Sequence, residues 1–64
     1  MNNLLTGSRI MADISREYSM MSLRLKQTAE GKVSPEDCAA QAQVSLQKIE
    51  DLKREWNVLC GYEG

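Results

Sequence analysis

The side chains that could carry chemistry in this sequence are two cysteines and several carboxylates, and histidine is absent. Cys38 and Cys60 are 22 residues apart. On one continuous helix that separation is roughly 33 Å, which is too far for a disulfide within the chain. Two cysteines without histidine also cannot supply the four ligands of a structural zinc site. We interpret both thiols as small core residues. A redox contact between Cys38 of one copy and Cys60 of another is the alternative.

The carboxylates fall into two groups with helical spacing. Asp13 and Glu17 form the first group, and Glu50, Asp51 and Glu55 form the second. Each group lies among arginines or lysines, which is typical of solvated helix faces with intrahelical ion pairs. Catalysis would need a pocket that perturbs these groups, and no nucleotide-binding or Cys-x-x-Cys motif is present. The sequence therefore predicts a protein that is not an enzyme and uses neither a cofactor nor a metal.

The length and composition indicate one small domain that needs reinforcement. The chain has 64 residues, of which 42% are hydrophobic and 27% are charged, with a formal net charge of -1. A domain of this size buries only about 60% of its unfolded surface, so we expect a second copy to complete the core. The charge balance argues against a dedicated nucleic-acid binder. Free thiols, the lack of a signal peptide and the lack of a membrane-spanning stretch predict a cytoplasmic protein.

A turn in the middle of the chain is the strongest local signal. Ser34 has the features of an N-cap, and Pro35 suits the first position of a helix. Gly31 can adopt the left-handed conformation that ends the preceding helix. The sequence predicts an all-α fold, a two-helix antiparallel hairpin that dimerises into a four-helix bundle. The single domain is divided into an N-terminal arm (1–7), helix 1 (8–30), a turn (31–34), helix 2 (35–60) and a tail (61–64). The start of helix 1 is open, because Leu4 and Leu5 could equally begin it.

Apolar residues recur along both helices in steps of three and four, as in a heptad repeat. We interpret these stripes as the dimer interface, with an acceptor groove for a foreign helix as the alternative. The predicted interface residues are Met11, Ile14, Tyr18, Met21, Leu25, Leu46, Ile49, Leu52, Trp56 and Leu59.

A second set of residues lies out of phase with the stripe of helix 1. We define this outer patch by Leu5, Arg9, Arg16, Met20 and Leu23. Methionine adapts to irregular surfaces and arginine is enriched at interfaces, so the patch is a candidate site for a protein partner. A harmless exposed surface is the simpler interpretation.

Arginines and a lysine on helix 1 raise a nucleic-acid alternative. Arg9, Arg16 and Arg24 recur every seven or eight residues, with Lys26 nearby. A symmetric dimer would double this row, as in helical-hairpin dimers of the Rop type, which bind RNA with one helical face. Acidic residues interrupt the row, and no aromatic side chain joins it for base stacking.

Over about residues 8–60 the chain resembles, in size and pattern, the small helical dimers encoded by temperate bacteriophages and plasmids. That resemblance implies an accessory protein that diverts, inhibits or regulates other machinery through protein contacts. No motif assigns the chain to a family. We expect a non-catalytic regulatory homodimer with a protein partner, and neither a membrane nor nucleic acid as a partner. A subunit or secretion-type chaperone of a larger helical assembly is a further alternative.

Overall fold

The protein is a hairpin of two long helices. The computed structural model describes residues 3–61, within which α1 spans Asn3–Ala29 and α2 spans Pro35–Cys60, with no strand in that range. Gly7 near the start of α1 lies beside Trp56 and Leu59 near the end of α2. This contact shows that the two helices run in opposite directions. The predicted all-α hairpin is thus confirmed. Residues 1–2 of the predicted arm and residues 62–64 of the predicted tail lie outside the described residues.

Local hydrogen bonds define the turn. Gly31 has φ +80° and its N–H donates to the Thr28 carbonyl, while the N–H of Lys32 donates to the Gln27 carbonyl. This pair of bonds is a Schellman motif and ends α1. At the start of α2, the Ser34 hydroxyl oxygen accepts a hydrogen bond of 3.1 Å from the Asp37 N–H. The predicted caps are confirmed, and α2 begins at Pro35 as expected.

The start of α1 differs from the expectation of an N-terminal arm over residues 1–7. Residues 3–7 are helical, so α1 begins five residues earlier than the predicted Ser8. Gly7, which weakens a helix by its propensity, is buried against α2. A Cβ built on Gly7 would lie 3.0 Å from a ring carbon of Trp56. The helix continues through Gly7 because a residue without a side chain lets α1 approach the Trp56 ring.

The two helices meet along a seam with heptad spacing. The least exposed positions of α2 recur in steps of four and three: Cys38, Ala42, Ser45, Ile49, Leu52, Trp56 and Leu59. Those of α1 that keep the same spacing are Gly7, Ile10, Ile14, Glu17, Met21, Arg24 and Thr28. Ile10 and Ile49 are 4% and 1% exposed, the most deeply buried of the described hydrophobic side chains. The intrachain core is small, because polar side chains occupy three positions of the α1 seam.

The hairpin is a thin slab. Its extents along the principal axes are 46 × 22 × 11 Å, so the two helices lie side by side in a single layer. A slab one helix thick has no interior away from its seam, so each helix leaves most of its circumference open to a partner or to solvent. Within residues 3–61, neither helix combines the length and apolar character needed to cross a bilayer.

Candidate interaction faces

The most prominent surface feature is an exposed apolar row on α1. Four large side chains recur every seven residues, which keeps them on one side of the helix. We define this α1 apolar row by Leu4, Met11, Tyr18 and Leu25. Their exposed fractions range from 43% for Met11 to 92% for Leu4. The row runs the length of α1 beside the seam, and no other part of the described chain covers it.

Serines continue the same side of α1. Ser8, Ser15 and Ser22 also recur every seven residues, and each follows a member of the apolar row by four positions. All three are exposed. The seven side chains of these two rows carry no charge, and we call them the uncharged strip. The charged residues of α1 therefore lie either in the seam or on its remaining sides.

The end of α2 joins this apolar face. Leu4 and Met11 line a groove of about 320 Å³ with Trp56 and Cys60. Leu46 is 47% exposed and lies two heptads before Cys60, so it occupies the same side of α2. The apolar face thus comprises the α1 apolar row with Leu46 and Cys60 from α2. Lys53, between these two, is its charged member.

The opposite side of the hairpin is highly charged. An open groove there is lined by Leu52 and by charged residues of both helices, namely Asp13, Arg16, Glu17, Lys48, Asp51 and Glu55. Arg54 donates a 3.1 Å hydrogen bond to the Asp51 carboxylate, which also accepts one from Gln47. Within residues 3–61 the ion pairs are Arg54–Asp51 and Lys32–Glu30. Both pairs are well exposed, so each contributes at most about 1 kcal/mol.

The ten residues of the predicted dimer interface divide between two places. Six of them are seam residues at least partly covered by the other helix, namely Ile14, Met21, Ile49, Leu52, Trp56 and Leu59. The remaining four, Met11, Tyr18, Leu25 and Leu46, lie on the exposed apolar face. The heptad seam therefore serves packing within the chain, and the apolar face beside it is left exposed.

The outer patch is exposed as a narrow row on α1. Leu5, Met20 and Leu23 are 60%, 40% and 54% exposed, and Arg9 and Arg16 are also exposed. Arg16 additionally lines the charged groove, so the patch borders the charged side of the hairpin.

The structure does not bring together the basic row considered for nucleic acid. Arg24 is a seam residue that lines a small cavity with Met21 and Cys38. Arg9 and Arg16 are on the outer patch, whereas Lys26 lies on a different side of α1 from both. The seam position of Arg24 separates it from the other two arginines. Two arginines per chain then remain in one exposed row.

The two cysteines have different environments. Both thiols are free, and Cys38 is buried at 8% exposure, as expected for a core residue. The same expectation is wrong for Cys60, which is exposed. Leu59 occupies the final seam position, so Cys60 falls one residue outside it. Among residues 3–61, no three metal-ligating side chains cluster in a way that could hold an ion.

Two core residues, Gly7 and Ile10, were missed by the sequence interpretation. The signal that could have found them is the seven-residue spacing from Gly7 to Ile14 and Met21, with Ile10 three residues into the repeat. Polar Glu17 and Arg24 share this repeat, whereas Met11, Tyr18 and Leu25 form a neighbouring repeat that is entirely apolar. The more hydrophobic row therefore dominates the pattern, although it is not the row that packs against α2.

Comparisons with known proteins find no matching family, no similar curated protein and no similar solved structure.

Proposed function

We propose that this protein is a non-catalytic helical hairpin that forms a homodimer and regulates a partner protein through protein–protein contacts in the cytoplasm. The observation that carries the proposal is the uncovered α1 apolar row. Burying a large apolar side chain stabilises a protein by roughly 1.5–3 kcal/mol, and a contiguous apolar face of this kind marks an interaction surface. The small intrachain core gives the chain a further reason to associate.

The apolar face and the outer patch are suited to different contacts. The apolar face is suited to self-association, since it lacks charge along α1. The outer patch, with two arginines among three large apolar side chains, is suited to a partner protein with acidic residues at its rim. The class-level resemblance over residues 8–60 supports an accessory role encoded by a bacteriophage or another mobile element. The absence of histidine and the openness of the grooves support a role without catalysis.

Light scattering over a dilution series, with circular dichroism on the same samples, tests self-association. We expect a mass of about twice the 7.2 kDa chain and a melting temperature that rises with protein concentration. A stably helical monomer at every concentration would contradict the proposed dimer.

The role of the outer patch needs a separate test. We expect the double substitution Met20→Glu with Leu23→Glu to abolish the regulatory phenotype in cells while dimer mass and helicity are retained. Ser19→Glu with Ser22→Glu is unsuitable as a control, because Ser22 belongs to the uncharged strip. Val44→Glu with Val58→Glu is the better control, since both valines are exposed and belong to α2 rather than to the patch. Intact regulation by the Met20 and Leu23 variant would remove the patch from the proposal.

A further inference from the structure

The α1 apolar row has a symmetry that suits contact with a second copy of the chain. Read in either direction along the helix, the row begins and ends with leucine and has two large, flexible or flat side chains between: Leu4, Met11, Tyr18 and Leu25. In an antiparallel contact centred between Met11 and Tyr18, Leu4 of one copy faces Leu25 of the other, and Met11 faces Tyr18. An isologous two-fold contact requires this kind of self-complementary surface.

The serine row has the same centre. Ser8 and Ser22 are equally distant from Ser15, which lies within one residue of the midpoint of the apolar row. In the antiparallel contact, Ser15 would therefore face Ser15 of the second copy, and Ser8 would face Ser22. Small side chains at these positions allow two helices to approach closely. A methionine sulfur against the edge of a tyrosine ring is also a favourable contact.

The midpoint of the α2 side of the face lies at the same height along the hairpin as the midpoint of the α1 row. Leu4 lies beside Cys60, and Leu25 lies beside Cys38 at the other end. A residue of α1 and a residue of α2 therefore lie at the same level along the hairpin when their numbers add to about 64. The midpoint of the α1 row therefore lies level with residues 49–50. That is also the midpoint of the α2 side of the face when Ala39 is included, since Ala39, Leu46, Lys53 and Cys60 recur every seven residues. One two-fold axis thus centres both helices.

The charges favour a dimer in which α1 packs against α1 of the second copy, and not against its α2. The corresponding strip of α2 includes Glu50 and Lys53. Placing it on the uncharged strip of α1 would bury these charges without partners, which is unfavourable. With α2 on α2, Lys53 of one copy lies about one helical turn from Glu50 of the other, close enough for an ion pair.

The broad face of the hairpin is large enough for a stable dimer interface. The broad face of the hairpin measures 46 × 22 Å between Cα atoms. A typical stable interface buries about 800 Å² on each partner, so most of this face would be used.

We propose that the apolar face binds a second copy of the chain in an antiparallel arrangement, with α1 on α1 and the two-fold axis between Met11 and Tyr18. This inference rests on the proposed homodimer and specifies its geometry. It leaves the outer patch on the far side of α1 uncovered in both copies, and the symmetric dimer would display two such patches.

Cysteine cross-linking tests the geometry. In a Cys60→Ser background, which retains only the buried Cys38, we expect Ser15→Cys to cross-link to itself efficiently under mild oxidation or with a short bismaleimide. Ser8→Cys and Ser22→Cys are matched controls from the same exposed row. Each alone should cross-link poorly, because two copies of residue 8 would be about 21 Å apart along the axis. A mixture of the two, with one chain affinity-tagged, should give the tagged heterodimer.

The outcomes separate the geometry from the dimer itself. If light scattering shows a dimer but Ser15→Cys fails to link to itself, the proposed axis is wrong. Efficient self-linking of Ser8→Cys would indicate parallel α1 helices. Linking of Ser15→Cys to Glu50→Cys in a mixture, without self-linking of either, would indicate α1 on α2. A monomer at all concentrations would instead overturn the proposed function.

A charge exchange provides a second measurement that does not depend on thiols. Met11→Lys and Tyr18→Glu should each dissociate the dimer, since each introduces unpaired charge into the apolar face. A one-to-one mixture should recover a heterodimer, because residue 11 of one chain faces residue 18 of the other. Failure of the mixture to associate, with both chains helical, would contradict the antiparallel arrangement.

Discussion

The two ends of the hairpin are held by different kinds of interaction. At the turn end, hydrogen bonds between residues close in sequence end α1 at Gly31 and begin α2 at Ser34. At the open end, Gly7 packs on Trp56 and Leu59, which are about fifty residues away in sequence. The turn end is therefore specified locally, whereas the open end depends on the two helices being aligned along their whole length. A substitution that disturbs packing at the open end should therefore destabilise the protein more than one at the turn end, and it should be harder to compensate by a change nearby in sequence.

The largest expected effect is at the open end. Trp56→Ala removes the ring that covers Gly7 and lines the apolar groove. Truncating a large aromatic side chain in a core costs about 3–5 kcal/mol, and we expect the lower end of this range because Trp56 is only half-buried. Urea unfolding followed by circular dichroism, at one fixed protein concentration, measures the change. A loss under about 1 kcal/mol would mean that the open end contributes no more than a single cap.

The next contrast uses the same substitution at both ends. Gly7→Ala places a methyl group 3.0 Å from the Trp56 ring, so overpacking, which typically costs about 1–3 kcal/mol, should outweigh the gain in helix propensity. Gly31→Ala meets no atom within 4 Å but must adopt φ +80°, which costs about 1–2 kcal/mol. We expect thermal unfolding to show both variants to be destabilised, Gly7→Ala through packing and Gly31→Ala through its backbone.

Second substitutions distinguish the two causes. Trp56→Leu should relieve Gly7→Ala in a double-mutant cycle and have no effect on Gly31→Ala. Asparagine at position 31 should be tolerated better than alanine, because it adopts the left-handed conformation more readily. If Gly7→Ala proved as stabilising as an exposed helical Ser8→Ala, the close packing at Gly7 would be refuted.

The smallest of these effects is at the cap of α2. Ser34→Ala removes the acceptor for the Asp37 N–H, which should destabilise the protein by about 1 kcal/mol. Ser34→Asp, which retains an acceptor, should restore most of the loss. The comparison is made by chemical denaturation at matched concentration. Equal stability of the serine, alanine and aspartate chains would show that the turn is held by Gly31 and Pro35 alone.

The difference between the ends also explains which features could be predicted from the sequence. The turn was predictable because Gly31, Ser34 and Pro35 act on their own backbone or on residues three or four positions away. The bounds of α2 follow from the same local rules, because Ser34 caps its start and Gly61, at φ +78°, ends it at the predicted Cys60. The helical start of α1 could not be predicted in this way, since Gly7 is unfavourable for a helix until Trp56 packs beside it.

The sequence by itself determined the two helices, their connection and the presence of two heptad rows on α1, because these depend on local hydrogen bonding and on the spacing of residue types. Only the tertiary structure decided which row packs within the chain. The row with Gly7, Ile10 and Ile14 lies in the seam although it includes charged residues, and the fully apolar row beside it remains exposed. Rotation of one helix against another changes which row is buried without changing helix propensity. In the observed arrangement Gly7 fits closely against Trp56, and the face from which we infer self-association is exposed.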